Sequence, residues 1–258
     1  MICLSKNLAD EYINKFAKGS NLDLQDYNYS YKDKPILING MGKRKLIKKL
    51  WDNNHTFYYM DSGYVGNYKS TQNPMGWKHW HRIVKNNVQH LTIEDRPEDR
   101  WIKLNYPIEK RKTGSFILLV TPSDKPCRFY GIDRDKWIDD SIKEIKKYTD
   151  REIVIRNKTG RKIRVRHNTI FNDLKNCHAL VTYQSIAAVE SILFGVPAFT
   201  LAPCAANPVA NTEIKNIEHP YFPSENKRYK WAFSLAYGQF HNVELENGHA
   251  YKILMETT

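Results

Sequence analysis

The chain has 258 residues, enough for one large domain or two small α/β lobes. Hydrophobic residues make up 41% and aromatics 12%, so a real core can form, and no window approaches the roughly eighteen apolar residues of a membrane-spanning helix. The formal net charge of +12 draws the protein toward polyanions in a salt-dependent way.

The start, MICLSKNLADEY, has no export-signal core, and a cytoplasmic protein is expected. Cys3, Cys127, Cys177 and Cys204 are scattered, with no CxxC pair. They read as reduced thiols, and no metal site is expected on them.

Residues 5–18 predict a helix with Ser5 as its cap, and the polar, tyrosine-rich stretch 20–34 predicts a loop. The apolar run 35–39 is followed by Gly40-Met41-Gly42, then by KRKLIKKLWDN with Leu46, Ile47 and Leu50 at helical spacing, then by the apolar run 55–60. That order predicts a βαβ unit with a parallel strand pair. Residues 61–112 predict loops with short helices, one near 79–89, and a basic stretch over 103–113 marks the lobe boundary.

The second lobe alternates more plainly. Strands are predicted at 115–121, 152–156, 179–183 and 196–201. Helices are predicted at 133–148, 169–176 and 185–194, the last closed by Gly195. This predicts a parallel, doubly wound sheet. Helices over 226–241 and 243–255 complete the chain. The domains are therefore expected at 1–112 and 113–258, the second with terminal crossing helices.

Residues 178–199 carry the sharpest chemical signal. A strand delivers Thr182, Tyr183, Gln184 and Ser185 to its carboxyl end, where open α/β sheets bind ligands. A helix start near Ser185 offers N–H groups to phosphate. Glu190 is the helix's one charged residue and suits ribose hydroxyls; alternatively it meets a basic neighbour such as Arg156.

This segment resembles the donor-binding motif of GT-B glycosyltransferases: strand, small polar turn, helix with a central Glu, then Gly-x-Pro. The segment from Trp231 to His241, followed by Glu244-Leu-Glu-Asn-Gly248, adds to a likeness to capsule polysaccharide (Kdo transferase-like) enzymes and phage-encoded relatives. The resemblance implies a GT-B-like α/β fold, with two Rossmann-like lobes, parallel sheets and a cleft between them, 1–112 being the acceptor-binding lobe and 113–258 the nucleotide-sugar-binding lobe. It places Ser185 and Glu190 at the phosphate turn and the ribose, and Thr121 and Ser123 beside the donor. It places Arg156 and Lys158 against the diphosphate, and residues 201–210 along the cleft beside the sugar. The donor expected is a nucleotide sugar, UDP-linked, with no metal and no further cofactor.

An inverting transfer needs a base for the acceptor hydroxyl. Asp61, at the end of the strand 55–60 and opening Asp61-Ser62-Gly63, is the candidate; a turn-forming role is the alternative. Lys43, Arg44 and Lys45 in a basic run, with Trp77, His79, Trp80, His81 and Arg82 in an aromatic-basic cluster, suit a nucleic-acid acceptor; core packing is the alternative for the cluster. The expected reaction is therefore sugar transfer to a hydroxylated DNA base such as 5-hydroxymethylcytosine, with DNA as partner and no membrane. A capsule or polysaccharide glycosyltransferase and a catalytically inactive nucleic-acid-binding protein remain as alternatives.

Overall fold

The computed structural model describes residues 1–4, 10–26, 34–67, 79–157 and 170–256. The chain opens with β1 (Ile2–Leu4), three buried residues, and continues into α1 (Glu11–Ser20). The cap of α1 is Asp10, whose carboxylate accepts from the Ile13 amide, and Asn21 ends the helix at φ 51°. The helix thus starts later than the predicted residue 5; Ser5 lies outside the described residues. β2 (Asp23–Gln25) occupies part of the predicted loop. Then come β3 (Ile36–Asn39), a 3-10 turn at Met41–Lys43, α2 (Arg44–Asp52) and β4 (Phe57–Ser62). This is the predicted βαβ unit, with Ile47 and Leu50 of α2 facing inward and β3 parallel to β4.

Where a helix was predicted near 79–89, the chain forms β5 (Trp80–Lys85), antiparallel to β4. The run HWHRIVK satisfies either period, and a partner strand with open backbone groups decides for the sheet.

α3 (Asp99–Leu104) leads by an extended segment to β6 (Phe116–Val120). α4 (Asp124–Tyr130), which the sequence reading missed, precedes α5 (Arg134–Ile145), capped by the Asp133 carboxylate on the Lys136 amide. β7 (Ile153–Arg156), α6 (Ile170–Leu174), β8 (Cys177–Thr182), α7 (Ala187–Leu193) and β9 (Ala198–Thr200) follow the predicted alternation. α8 (Glu225–Tyr237) stops short of the predicted 241, because Gln239–His241 forms β10, antiparallel to β5. The helix predicted over 243–255 is two helices, α9 (Asn242–Glu246) and α10 (His249–Glu256). The break falls at Gly248, whose φ of +79° no helix contains.

The chain divides into two compact units, Met1–His90 with Leu235–Thr258, and Leu91–Ser234. The sequence reading set the division after residue 112 and gave the terminal segment to the second lobe. The segment before β6 is tied into the second unit by backbone bonds from Glu109 to Leu193 and from Lys112 to Gly195. In the first unit the sheet order is β10-β5-β4-β3-β1-β2; in the second it is β7-β6-β8-β9. Within each, the first four parallel strands take the same order, second-first-third-fourth, a Rossmann-like arrangement. Both units are thus built on one topology, although the sequence shows no internal repeat.

The first core gathers Cys3, Phe16, Leu37, Met60, Ile83 and Phe240 around the sheet; the second packs Trp137, Ile138, Ile142 and Ile145 of α5 on Ile117, Leu119 and Val181. All four cysteines are buried, and burial pushes the Cys3 and Cys177 thiols up to about 12.

Candidate functional site

In the Leu91–Ser234 unit the chain leaves β6 for β7 on one side and reaches β8 on the other. Connections on opposite faces part at such a point, and ligands of open α/β sheets bind in the crevice outside the carboxyl ends of the two strands. The last row of the sheet is Arg156, Val120, Thr182 and Thr200, paired in that order across the four strands. The segments that emerge side by side beyond it are Thr121-Pro122-Ser123 and Tyr183-Gln184-Ser185. Five of the sequence-predicted donor residues therefore meet at one sheet edge: Thr121, Ser123, Tyr183, Gln184 and Ser185.

Their environments differ. Thr121 is buried and fastened to the end of β7: its amide donates to the Arg156 carbonyl at 3.1 Å and its hydroxyl reaches Asn157 Oδ1 at 3.3 Å. Thr182 is equally tied, with its hydroxyl donating to the Val120 carbonyl at 3.0 Å. Ser123 stands at the start of α4 with no capping bond from its side chain. Ser185 Oγ accepts from the Ala187 amide at 3.2 Å, which leaves its own hydrogen to donate. α7 has only seven residues, so its dipole contributes little beyond these individual donors. Tyr183 sits against Tyr130 and Trp137 with ring centroids 5.6 and 6.2 Å away, and burial raises its phenol above the ordinary value.

Gln184 is only 5% exposed, and among the described residues nothing is placed to hydrogen-bond its Oε1. A buried carbonyl without a partner costs about 1–3 kcal/mol, so the position is expensive for the unliganded fold.

Arg156 and Glu190 belong to one charge cluster. The Arg156 guanidinium is paired with Asp173 of α6. Burial lowers its proton affinity, and the negative charge of Glu190 opposes that. One cation therefore feels two carboxylates, and Arg156 is engaged within the protein by Asp173. Lys158 lies outside the described residues. Sequence reasoning missed Asp173 and Tyr130, because only the tertiary fold brings their elements to this edge, and it passed over Asn157, which follows Arg156 directly.

The run 201–210 follows β9 as a closed loop. Cys204, Ala205 and Ala206 are buried; Asn207 Oδ1 takes hydrogens from Thr200 Oγ1 and the Cys204 amide; Trp231 Nε1 donates to the Ala205 carbonyl at 2.8 Å. Most of it forms the packed wall of the unit.

The remaining candidates lie in the other unit. Asp61 faces Arg82 across the β4–β5 pair. Its Oδ2 accepts from the Tyr59 hydroxyl at 2.5 Å and lies 3.5 Å from Arg82 Nη2. Arg82 is 4% exposed and also donates to the Ser62 carbonyl at 2.7 Å. The carboxylate is thus engaged within the sheet by a tyrosine hydroxyl and a buried guanidinium. His81 is 5% exposed, with its ring 4.0 Å from Tyr12 and Nε2 3.0 Å from Asn242 Oδ1. His79 stacks on His241 at 5.5 Å, and Trp80 packs edgewise on the same ring at 5.1 Å. The aromatic-basic cluster is thus divided between the two faces of β5, and His81 and Arg82 are interior residues rather than a surface for nucleic acid. Trp77 lies outside the described residues. Lys43 approaches Asp10 at 3.7 Å, and Asn39 Nδ2 donates to both Asp10 oxygens at 3.0 Å. Arg44 is half-buried and Lys45 exposed. Among the described residues, no group of three or more His, Cys, Asp or Glu is arranged to hold a metal ion, and no helix is long and apolar enough to cross a membrane.

Two units with one Rossmann-like strand order, the second with polar residues gathered at the carboxyl edge where its strand order reverses, define an α/β protein of the doubly wound kind. Among solved structures, the chain is similar to the β-Kdo 2,4 transferase of Thermosulfurimonas dismutans KpsC, with a TM-score of 0.54 at 10% identity over 90% of this chain and 89% of that one. It is likewise similar to the β-Kdo 2,7 transferase of the same KpsC, again at 0.54 and 10%, over 100% and 99%. At this identity the likeness shows the fold, which is of the GT-B-like glycosyltransferase type. No family model matches the sequence, and no curated protein does either.

Proposed function

We propose that the chain is a glycosyltransferase that moves a sugar from a nucleotide-sugar donor to a hydroxyl of a glycan or glycolipid. The observation that carries this reading is the carboxyl edge between β6 and β8, where Thr121, Ser123, Tyr183, Gln184 and Ser185 converge in a fold shared with transferases of the sugar Kdo. In the reaction, the acceptor oxygen bonds to the anomeric carbon as the bond from that carbon to the donor phosphate breaks, and the acceptor proton passes to a base. The serine hydroxyls and backbone N–H groups at the edge would stabilise the departing phosphate charge, which grows in the transition state. Glu190 would accept from ribose hydroxyls while keeping Arg156 partly neutralised. Asp61 is engaged by Arg82, so the base is left unassigned.

The glycan acceptor is preferred to DNA because His81 and Arg82, two residues of the cluster that suggested contact with bases, are buried. The DNA reading keeps one specific observation: α2 turns Lys45, Lys48 and Lys49 outward, on a chain of net charge +12.

The test is thermal stabilisation by UDP, GDP, ADP and CMP and their sugar conjugates, followed by donor turnover with glycan and with hydroxymethylated duplex DNA. Stabilisation by one nucleotide and turnover only with glycan is the expected outcome. Sugar incorporation into DNA would move the assignment to the second reading. No response to any nucleotide would end both.

A further inference from the structure

The carboxyl edge of β8 holds a polar atom that the fold does not use. Gln184 follows Thr182, the last residue of β8, by two positions, at the point where the strand order reverses. Its neighbours make bonds within the protein: Thr182 donates to the Val120 carbonyl, and Ser185 accepts from the Ala187 amide. The Gln184 carboxamide is buried alongside them, yet its Oε1 has no hydrogen-bond partner among the described residues. For folding alone, an apolar side chain of the same length would serve this position better. A polar group that the fold pays to bury without a partner, at the edge where such sheets take their ligands, is matched by a ligand group.

We infer that Gln184 is a specificity-determining residue of the donor site, and that its Oε1 accepts a hydrogen from a hydroxyl or amino group of the bound nucleotide sugar. The inference rests on the nucleotide-sugar reading proposed above. A carbonyl oxygen only accepts, and an ionised diphosphate offers few hydrogens to donate. The Gln184 Oε1 therefore addresses the nucleoside or the sugar, while the hydroxyls of Ser123 and Ser185 suit the phosphates. Rejection follows the same logic: a donor lacking that hydrogen would leave the buried carbonyl unpaired, which is how polar sites exclude close analogues most strongly.

The test uses the full chain and the variants Gln184→Met and Gln184→Glu. Each is measured for melting temperature without ligand, and by calorimetry against UDP, GDP, ADP and CMP and the sugar conjugate of whichever binds. Gln184→Met is expected to keep or raise the ligand-free melting temperature while raising Kd about 5- to 100-fold. Gln184→Glu, which retains an acceptor oxygen, is expected to bind better than Gln184→Met. Loss already evident with the bare nucleotide assigns the hydrogen to the nucleoside; loss confined to the conjugate assigns it to the sugar; either supports the inference. A Gln184→Met protein that melts lower without ligand and binds within about twofold of wild type overturns it, because Gln184 would then serve the fold. Wild-type protein that binds no nucleotide overturns the donor reading itself, and that is seen before any variant is made.

Discussion

Arg82 lies directly opposite Asp61 across the β4–β5 pair, with Nη2 3.5 Å from Oδ2, so this carboxylate is set against a nearly buried guanidinium. The Tyr59 and Tyr64 rings flank the same guanidinium, with centroids 5.6 and 5.5 Å away. Removing the acid takes an anionic partner from a cation set among aromatic rings. Asp61→Asn should therefore lower stability, by about 3 kcal/mol given that a buried ion pair broken on one side costs about 3–5 and Asp61 is about a third exposed. Chemical denaturation of wild type and variant measures this. An Asn variant as stable as wild type, with turnover reduced by about 10²–10⁴, would instead return Asp61 to the role of base.

Glu190 carries the second prediction. Arg156 remains paired with Asp173 when Glu190 is removed, so Glu190→Ala leaves no uncompensated cation and should fold nearly as wild type. If Glu190 accepts from ribose, its loss costs about 1.5–3 kcal/mol of donor binding, an increase of about 10- to 150-fold in Kd. Asp173→Ala, made beside it, should shift stability without a comparable loss of binding. Equal losses of binding from the two would mean that the cluster acts only as scaffolding.

Much of the fold was legible because β6 through β9 alternate with helices whose apolar positions repeat at helical spacing. The failures have a common physical origin. β1 and β10 have three residues each, too few for a period to show, and they exist through pairing with segments far away in the chain. β2 is polar because it lies at a sheet edge. β5 mixes aromatic and basic residues and was read as a helix and as a surface, because only its position inside a sheet decides that His81 and Arg82 face inward. The carboxyl edge of the second sheet was legible because strand ends and glycine stops mark it locally. The Asp173 partner of Arg156 was not, because it comes from another helix.

Gly195 is a position where backbone geometry and packing coincide. Its φ is +89°, and a β-carbon placed there would lie 2.0 Å from the Lys110 carbonyl oxygen. The clash is with backbone, which cannot swing aside as a side chain can. Lys112 also donates its amide to the Gly195 carbonyl at 2.7 Å, so the loop before β6 is held against the end of α7. Gly195→Ala should destabilise the protein by more than about 1 kcal/mol, the usual scale of strain from a side chain at positive φ. A melting temperature equal to wild type would show that the loop can withdraw without loss.

The last prediction concerns acid and α9. His241 Nδ1 accepts from the Val243 amide at 3.3 Å, and Glu244 Oε2 takes the His241 amide at 2.8 Å, so the two residues cap the helix reciprocally. Only a neutral imidazole can accept at Nδ1; protonation makes that atom a donor and ends the bond. Burial lowers the His241 pKa below the ordinary value, and the stacked His79 lowers it further, while Glu244 opposes them. The folded protein therefore binds this proton less readily than the unfolded chain, whose histidine titrates near about 6.5. The stabilisation is full above that value and declines as pH falls through it toward the depressed folded value. His241→Asn supplies a good capping side chain that does not titrate there. Thermal melts between about pH 7.5 and 5 should show a shallower decline for the Asn variant than for wild type, with the two near one another at the upper end. Parallel curves across the whole range would mean that His241 holds the same charge in the folded and unfolded states, and that its cap does not respond to acid.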